Sequence, residues 1–454
     1  MKWNNWQIIN WESLRFRRLA QAIVVVGLIS YAIFSHHAFA HKTLLPQAIL
    51  IDTVCPEIPF LVDSLCYITD ESQILNDFWE ELEQLLLGKD TVVKILHIGD
   101  SHIQAGFHSG QVMRMLQETF GNAGRGWIAP LKLTNVNEPF DYFIRSSTIK
   151  DWVVSRCIQQ DPLYPWGPGG LAIQTTSNAV DFNIRMSPNR GAGYAFNEVH
   201  LFRDKNAIPM LPVGIHCENV ETIWGTEMNG LNVVIDTFRI TEQIDSLYLH
   251  TASQKNFPDM DDEVWATANR YYGFSLMNGN PGVLYHSIGH NGAVFMNYTS
   301  HDFIHQLSLF EPSLLIVSLG TNEAFGSKFR IDEFESQLDQ CLQRIKEYMP
   351  NTAILLTTPA ECYRRIPKKG YQRNENIEKI AGVIREYARK EGLACFDLYE
   401  MTGGRNSCVK WHQSSLYGKD RIHFTIKGYE EQGKLLYKAL IRSKVEYQNA
   451  LVSE

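Results

Sequence analysis

Between Glu71 and Leu87 (ESQILNDFWEELEQLLL) apolar residues recur at steps of three and four, which predicts an amphipathic helix. The next apolar run, Val92–Gly99 (VVKILHIG), is β-branched and scarcely alternates. That is the pattern of a strand buried on both faces of a parallel sheet. The second half repeats the theme, with strands predicted at Val283–Ser287, Leu314–Leu319, Ala353–Thr357 and Ala394–Leu398. Helices are predicted at Ile331–Met349, Asn374–Lys390 and Lys427–Arg442. In the first of these, Ile331, Phe334, Leu338, Leu342 and Ile345 share one face. Strands alternating with helices imply a parallel sheet covered on both sides, here a three-layer α/β domain with a five-stranded sheet.

The alternation is interrupted. From about Leu133 to Asn280 the pattern becomes short alternating runs separated by turns, as in VDFNIRM (Val180–Met186) and IDSLYLHTA (Ile244–Ala252). That spacing suggests a β-sandwich inserted into a surface loop of the α/β domain. The expected organisation is therefore an N-terminal segment at 1–43, a lead-in and the first part of the α/β domain at 44–132, an inserted β-sandwich at 133–281, and the rest of the α/β domain at 282–454.

The N-terminal segment holds the one long apolar run, Leu19–Phe34, with Arg15, Arg17 and Arg18 before it and Ala38-Phe39-Ala40 after it. A positive flank, an apolar core and a small-residue end are the parts of an export signal, and an uncleaved membrane anchor is the alternative. With 44% apolar and 20% charged residues, wholesale disorder is excluded. A mean hydropathy of −0.20 excludes a multi-span membrane protein. The formal charge of −8 leaves no electrostatic footprint for nucleic acid. The eight cysteines form no C-x-x-C pair, so zinc and thioredoxin-type chemistry lack support. One or two disulfides are expected in an exported chain, with the remaining thiols buried as small apolar groups.

Four polar turns follow predicted strands or precede the last helix. Gly99-Asp100-Ser101-His102 follows the first strand directly, at the sheet edge where open α/β folds bind ligands. A serine hydroxyl there is a nucleophile once a base is in reach, although Asp100 and Ser101 read equally as a helix cap. Asp420-Arg421-Ile422-His423 offers an imidazole with a carboxylate three residues before it, the pair that could take the serine proton. Gly289-His290-Asn291-Gly292 and Gly320-Thr321-Asn322 end two further strands. The backbone N–H of Gly292, the side chain of Asn322 and the N–H of Ser101 together would make an oxyanion hole. Each turn alone is unremarkable, and their joint occurrence carries the reading. His102 could position Ser101 or simply pack. No H-E-x-x-H or comparable spacing among His97, His286 and His290 supports a metal, and no cofactor is expected.

These four blocks, in this order, resemble the SGNH (GDSL-type) hydrolase family: GDSH with Ser101, GHNGA with Gly292, GTNEAF with Asn322, and DRIHFT with Asp420 and His423. The resemblance covers roughly Val92–Gly124 and Val283–Arg442 and implies a flavodoxin-like, three-layer hydrolase domain. Finer features are similar to the bacterial peptidoglycan O-acetylesterase branch: His102 after the serine, Gln104, the stretch Gly121–Trp127, and Asp397–Trp411. Ile103 departs from that branch, where Thr is common. The resemblance implies Ser101 as nucleophile, His423 as base, Asp420 as its orienting carboxylate, and Ser101, Gly292 and Asn322 as oxyanion donors, with Asp100 and His102 shaping the site. It further implies an exported esterase of the periplasm or cell envelope acting on an acetylated polysaccharide, peptidoglycan first. Another acetylated polysaccharide, or a non-catalytic glycan-binding envelope protein, are the alternatives. The insertion offers no residue-level match to a carbohydrate-binding module.

Overall fold

The computed structural model describes residues 58–453 apart from 59, 62, 148–151, 188–193, 215–219, 228–229, 253–267 and 327–328. The apolar run Leu19–Phe34, Cys55 and Cys217 lie outside the described residues.

A two-residue strand β1 (Ile68–Thr69) leads to helix α1 (Asn76–Leu86), which buries Phe78, Trp79 and Leu82. Strand β2 (Val92–Gly99) follows, then one helical turn, α2 (Ser101–Gln104), and helix α3 (Phe107–Phe120). The step from β2 into α2 is tight. A Cβ on Gly99 would lie 2.4 Å from the Ile103 side chain and 2.7 Å from the Ser318 carbonyl, so only glycine fits.

The chain then enters a β-rich region: β3 (Gly126–Ile128), β4 (Tyr142–Arg145), β5 (Val153–Arg156), β6 (Leu171–Thr175), β7 (Asp181–Met186), β8 (Phe196–Asp204), β9 (Met210–Val213), β10 (Val220–Glu227), β11 (Val233–Ile244), β12 (Ser246–Thr251) and β13 (Asn269–Met277). They form two antiparallel sheets, one ordered β10-β11-β8-β13-β6-β5 with β3 also on β13, the other β4-β7-β12-β9. Phe182 on β7 packs its ring 5.3 and 5.6 Å from those of Tyr271 and Phe274 on β13. A buried Arg203–Asp236 pair at 2.6 Å ties β8 to β11. Its remaining polar atoms are met by Ala207 O and Gly225 N–H, as a buried charge requires.

The return to the α/β body brings β14 (Gly282–Gly289), α4 (His301–Leu307), β15 (Leu314–Ser318), α5 (Ile331–Tyr348), β16 (Ala353–Thr357), a hairpin β17 (Tyr363–Ile366) and β18 (Gly370–Arg373), α6 (Glu375–Glu391), β19 (Ala394–Phe396), α7 (Leu398–Met401), α8 (Ser407–Gln413) and α9 (Ile426–Ser453). The central sheet runs β1-β19-β16-β15-β2-β14. The five strands of the predicted alternation are parallel, in the flavodoxin-like order, with the first strand between the second and third. A short antiparallel β1 is added at the edge on β19.

The β-rich region begins earlier than its periodicity suggests. Strand β3 already belongs to it, before Leu133, and passes between β13 and β14. Gly124 and Gly126 make that passage possible: a Cβ would lie 2.5 Å from Leu276 O at the first and 2.5 Å from Tyr285 O at the second. The glycine-rich stretch is thus a steric device at a crossing of sheets. Trp127 then packs at 5.3 Å from both Phe202 of the β region and Phe310 of the α/β body, within one continuous apolar core. Val54–Glu454 is accordingly one compact unit.

Of the one or two disulfides expected, a second is ruled out by the six described cysteines, which match the buried thiols expected beside a bridge. Cys66, Cys157, Cys341, Cys362, Cys395 and Cys408 are free and buried, each filling apolar space as a small side chain. Among the described residues no helix is long and apolar enough to cross a membrane.

Candidate active site

Strands β14, β2 and β15 lie side by side with Gly289 opposite Gly99 and Gly99 opposite Ser318. Their carboxyl ends are therefore level, and the turns that follow converge. Ser101, Gly292 and Asn322 all line one open cleft of ≈ 650 Å³, together with His423. That size lies within the range of small-molecule sites.

Asp100 caps α2, its carboxylate accepting the His102 N–H at 2.9 Å. This both starts the helix and holds Ser101 at its first position, where a backbone N–H has no partner within the helix. The Ser101 hydroxyl lies 2.8 Å from His423 Nε2. On the other side of the ring, Nδ1 lies 2.7 Å from Asp420 Oδ2. The imidazole Nδ1–H donating to that carboxylate leaves Nε2 free to accept the serine proton. Burial works against the charge on Asp420, yet hydrogen bonds from His423 and the backbone N–H groups of Ile422 and His423 hold its carboxyl below the usual range. The loop carrying this pair is closed by Gly418 N–H on His423 O at 2.7 Å and Arg421 N–H on Gly418 O at 3.1 Å. Arg421 takes a left-handed φ of 57° at its apex.

The other wall carries the N–H donors. Gly292 has φ of 82°, with open space where a Cβ would stand, so conformation rather than crowding calls for glycine. Asn322 donates through Nδ2 to Ala293 O at 2.9 Å and to Asp100 Oδ2 at 3.2 Å. The next residue, Glu323, accepts the Phe295 N–H at 2.8 Å. The turn after β15 thus clamps the segment that follows Gly292. Burial pushes the Asp100 carboxyl up to about 8 and Glu323 up to about 7.

Among the described contacts the His102 side chain bonds Tyr429 and not Ser101. Its ring centroid is 5.3 Å from that of His423, and its Nδ1 is 2.9 Å from the Tyr429 hydroxyl. Burial, then the neighbouring His423 and His108, push it down to about 3, so it stays neutral. The other histidines near the strand ends are structural. His97 bridges Tyr285 OH and Ser318 Oγ at 2.7 Å each, His286 accepts the Trp127 N–H at 3.1 Å, and His290 bonds Gly169 O at 2.9 Å. Among the described residues no group of three or more His, Cys, Asp or Glu could hold a metal ion. The cleft walls also include Asn137, Phe325, Ile422 and Tyr429. Asn137 and Tyr429 carry no motif or periodic signal that singles them out; only the tertiary fold brings them here.

Residues 255–431 match the GDSL-like Lipase/Acylhydrolase family, a span that holds Gly292, Asn322, Asp420 and His423 and begins after Ser101. No curated protein matches the chain. A solved structure of a peptidoglycan O-acetylesterase is similar over 83% of this chain and 99% of that one, with 22% identity and a TM-score of 0.67. A crystal structure of an acetyl xylan esterase covers 35% of this chain and 81% of its own, at 18% identity and a TM-score of 0.29. A GDSL-like lipase from Bacteroides thetaiotaomicron VPI-5482 covers 35% and 76%, at 17% identity and a TM-score of 0.28.

Proposed function

Starting from an SGNH hydrolase fold that resembles the peptidoglycan O-acetylesterase branch, we propose that this chain is a serine esterase that removes O-acetyl groups from a cell-envelope polysaccharide, with peptidoglycan as the substrate. The observation that carries the reading is the unbroken hydrogen-bonded chain from the Ser101 hydroxyl through His423 to Asp420 at the mouth of an open cleft. The N-terminal run Leu19–Phe34 with its arginine flank supports export to the envelope.

In this mechanism Ser101 Oγ attacks the ester carbonyl while His423 Nε2 takes its proton. Asp420 stabilises the imidazolium that results. The negative oxygen of the tetrahedral intermediate is met by the N–H groups of Ser101 and Gly292 and by the Asn322 amide. Collapse breaks the bond to the sugar oxygen, which leaves with the proton from His423. Water then attacks the acetyl-serine by the same route, releasing acetate and restoring the free hydroxyl.

The test is acetate release by purified protein from O-acetylated peptidoglycan and from 4-nitrophenyl acetate. Ser101→Ala should lower both by about 10⁴-fold or more while leaving the fold unchanged. Activity that survives this substitution overturns the mechanism. Binding of the glycan with no ester turnover by the unaltered protein replaces the enzyme with a glycan-binding protein.

A further inference from the structure

The β17–β18 hairpin stands outside the central sheet, and its composition is unlike the rest of the chain. Five of the eleven residues from Tyr363 to Arg373 are cationic and none is acidic, in a protein of net charge −8. A lone two-stranded hairpin has little stability of its own, and here its base is pinned. Arg373 Nε lies 2.8 Å from the buried Glu361 carboxylate, which also accepts the N–H groups of Asn406 and Cys408. The Arg364 guanidinium donates at 2.6 Å to both Ala324 O and Asn374 Oδ1.

That base also forms the outer support of the cleft on two sides. The Arg364 guanidinium lies over the ring of Phe325, a cleft wall, at 5.6 Å. Tyr363 N–H donates to Arg421 O at 2.9 Å, and the Arg421 guanidinium lies 4.7 Å from the centre of the Tyr371 ring. Arg421 immediately precedes Ile422 and His423, which line the cleft as well. The exposed residues at and near the tip, Arg365, Lys368 and Lys369, and exposed Lys419 on the adjoining loop, have no carboxylate partner among the described residues. The nearest acids are committed elsewhere, Glu361 and Glu378 to Arg373 and Asp420 to His423.

Like charges crowded on one small element repel each other, and at Arg365, Lys368 and Lys369 no carboxylate among the described residues offsets that repulsion. We infer that this hairpin is an electrostatic guide for a polyanionic glycan, and that the ester-bearing polymer of the proposed reaction carries carboxylates on the sugars or stems next to the acylated position. The inference rests on the esterase reading of the cleft and adds the charge of its substrate. An anionic membrane surface fits less well, because among the described residues no exposed large apolar side chain occurs between Pro359 and Thr425 to enter a bilayer.

The experiment uses soluble O-acetylated peptidoglycan fragments in two forms, with carboxylates free and with the same carboxylates converted to amides. The protein carries Arg365→Gln, Lys368→Gln and Lys369→Gln together. For the unaltered protein, the ratio of kcat/KM on free over amidated fragments should exceed one at low salt and fall towards one near ~0.5 M salt. In the triple variant that ratio should fall towards one already at low salt and lose its salt dependence. An equal loss on both fragment forms, or an unchanged ratio, overturns the inference. If the unaltered protein cleaves neither form, the esterase reading fails by itself. Sedimentation of the free-carboxylate polymer with the unaltered protein but not the variant would then still uphold the charge guide, and equal sedimentation would end it. Binding to anionic phospholipid vesicles without preference between the two glycans also overturns it.

Discussion

Ser101, Gly292 and Asn322 take their positions from the register of three parallel strands, whereas Asp420 and His423 stand on a loop that closes through its own hydrogen bonds. The first group has deeply buried support: Asp100 is 1% exposed and Ala293 not at all. The side chains of the second are 48% and 44% exposed. In the proposed mechanism the sheet fixes where a carbonyl carbon and its oxygen would sit, and the loop brings a proton acceptor to that place. Damage to the loop should remove proton transfer and spare the fold. Damage beneath the strand ends should be felt as stability too.

The largest expected effect on that contrast comes from Asp420→Asn, which keeps the loop's backbone acceptor but loses the charge that orients His423. Loss of a buried triad carboxylate costs about 10⁴-fold. Asp420 is half-exposed, so water replaces part of what is lost, and a fall in kcat of roughly 10³-fold with an unchanged Tm is expected. Steady-state kinetics beside thermal unfolding would check both halves. An equal loss of Tm would mean that the loop is as much a structural element as the strand ends.

Asn322→Ala should be next, lowering kcat by ~10²–10³-fold through loss of one oxyanion donor. It also takes away the amide partner of Ala293 O and of Asp100 Oδ2, so here a drop in stability of about 1 kcal/mol is expected as well. Activity loss with no change in urea midpoint would contradict the idea that the same amide serves both tasks.

The smallest effect is on pH dependence. Asp100 has its carboxyl raised from the ordinary value by burial to about 8. Between about pH 4 and pH 8 the unfolded chain releases this proton and the folded one keeps it, so folding stability should fall as pH rises through that window. Asp100→Asn, which can still cap α2, should flatten that fall by about 1 kcal/mol or more. Urea titrations at pH 5 and pH 8 measure it. A steeper fall in the variant would place the buried charge elsewhere, with Glu323 the first alternative.

The five parallel strands of the central sheet were legible because each is a short, mainly apolar run bounded by polar turns, and β16 matches its predicted limits of Ala353–Thr357. The four polar blocks were legible for a related reason: the turns after buried strands have few structural reasons to hold Ser, His and Asn together. Other features left no such trace. β1 and β3 are two and three residues long, too short for any period to register. The β17–β18 hairpin reads as a charged loop, since its stability comes from Glu361 and Arg421, which lie outside it in sequence. Helix α9 runs to Ser453 because its later turns pack beside α1, where Lys444 reaches Glu83 at 2.7 Å; its own apolar pattern gave no reason to extend beyond Arg442. Tyr429 was invisible as a cleft residue because it is one aromatic on a long helix, and only the meeting of that helix with α2 gives it a role.

Trp127 is held between Phe202 and Phe310, so the β-rich region and the α/β body share one interior. Such a chain is a poor candidate for modular exchange. Excising the region would leave the residual protein with a wound of aromatic and aliphatic surface next to the strand that precedes Gly292, and transplanting it elsewhere would carry half an interface away. Changes on one side of that shared interior will be felt on the other, so engineers wishing to alter its ligand preference should work on the rim rather than swap the insert.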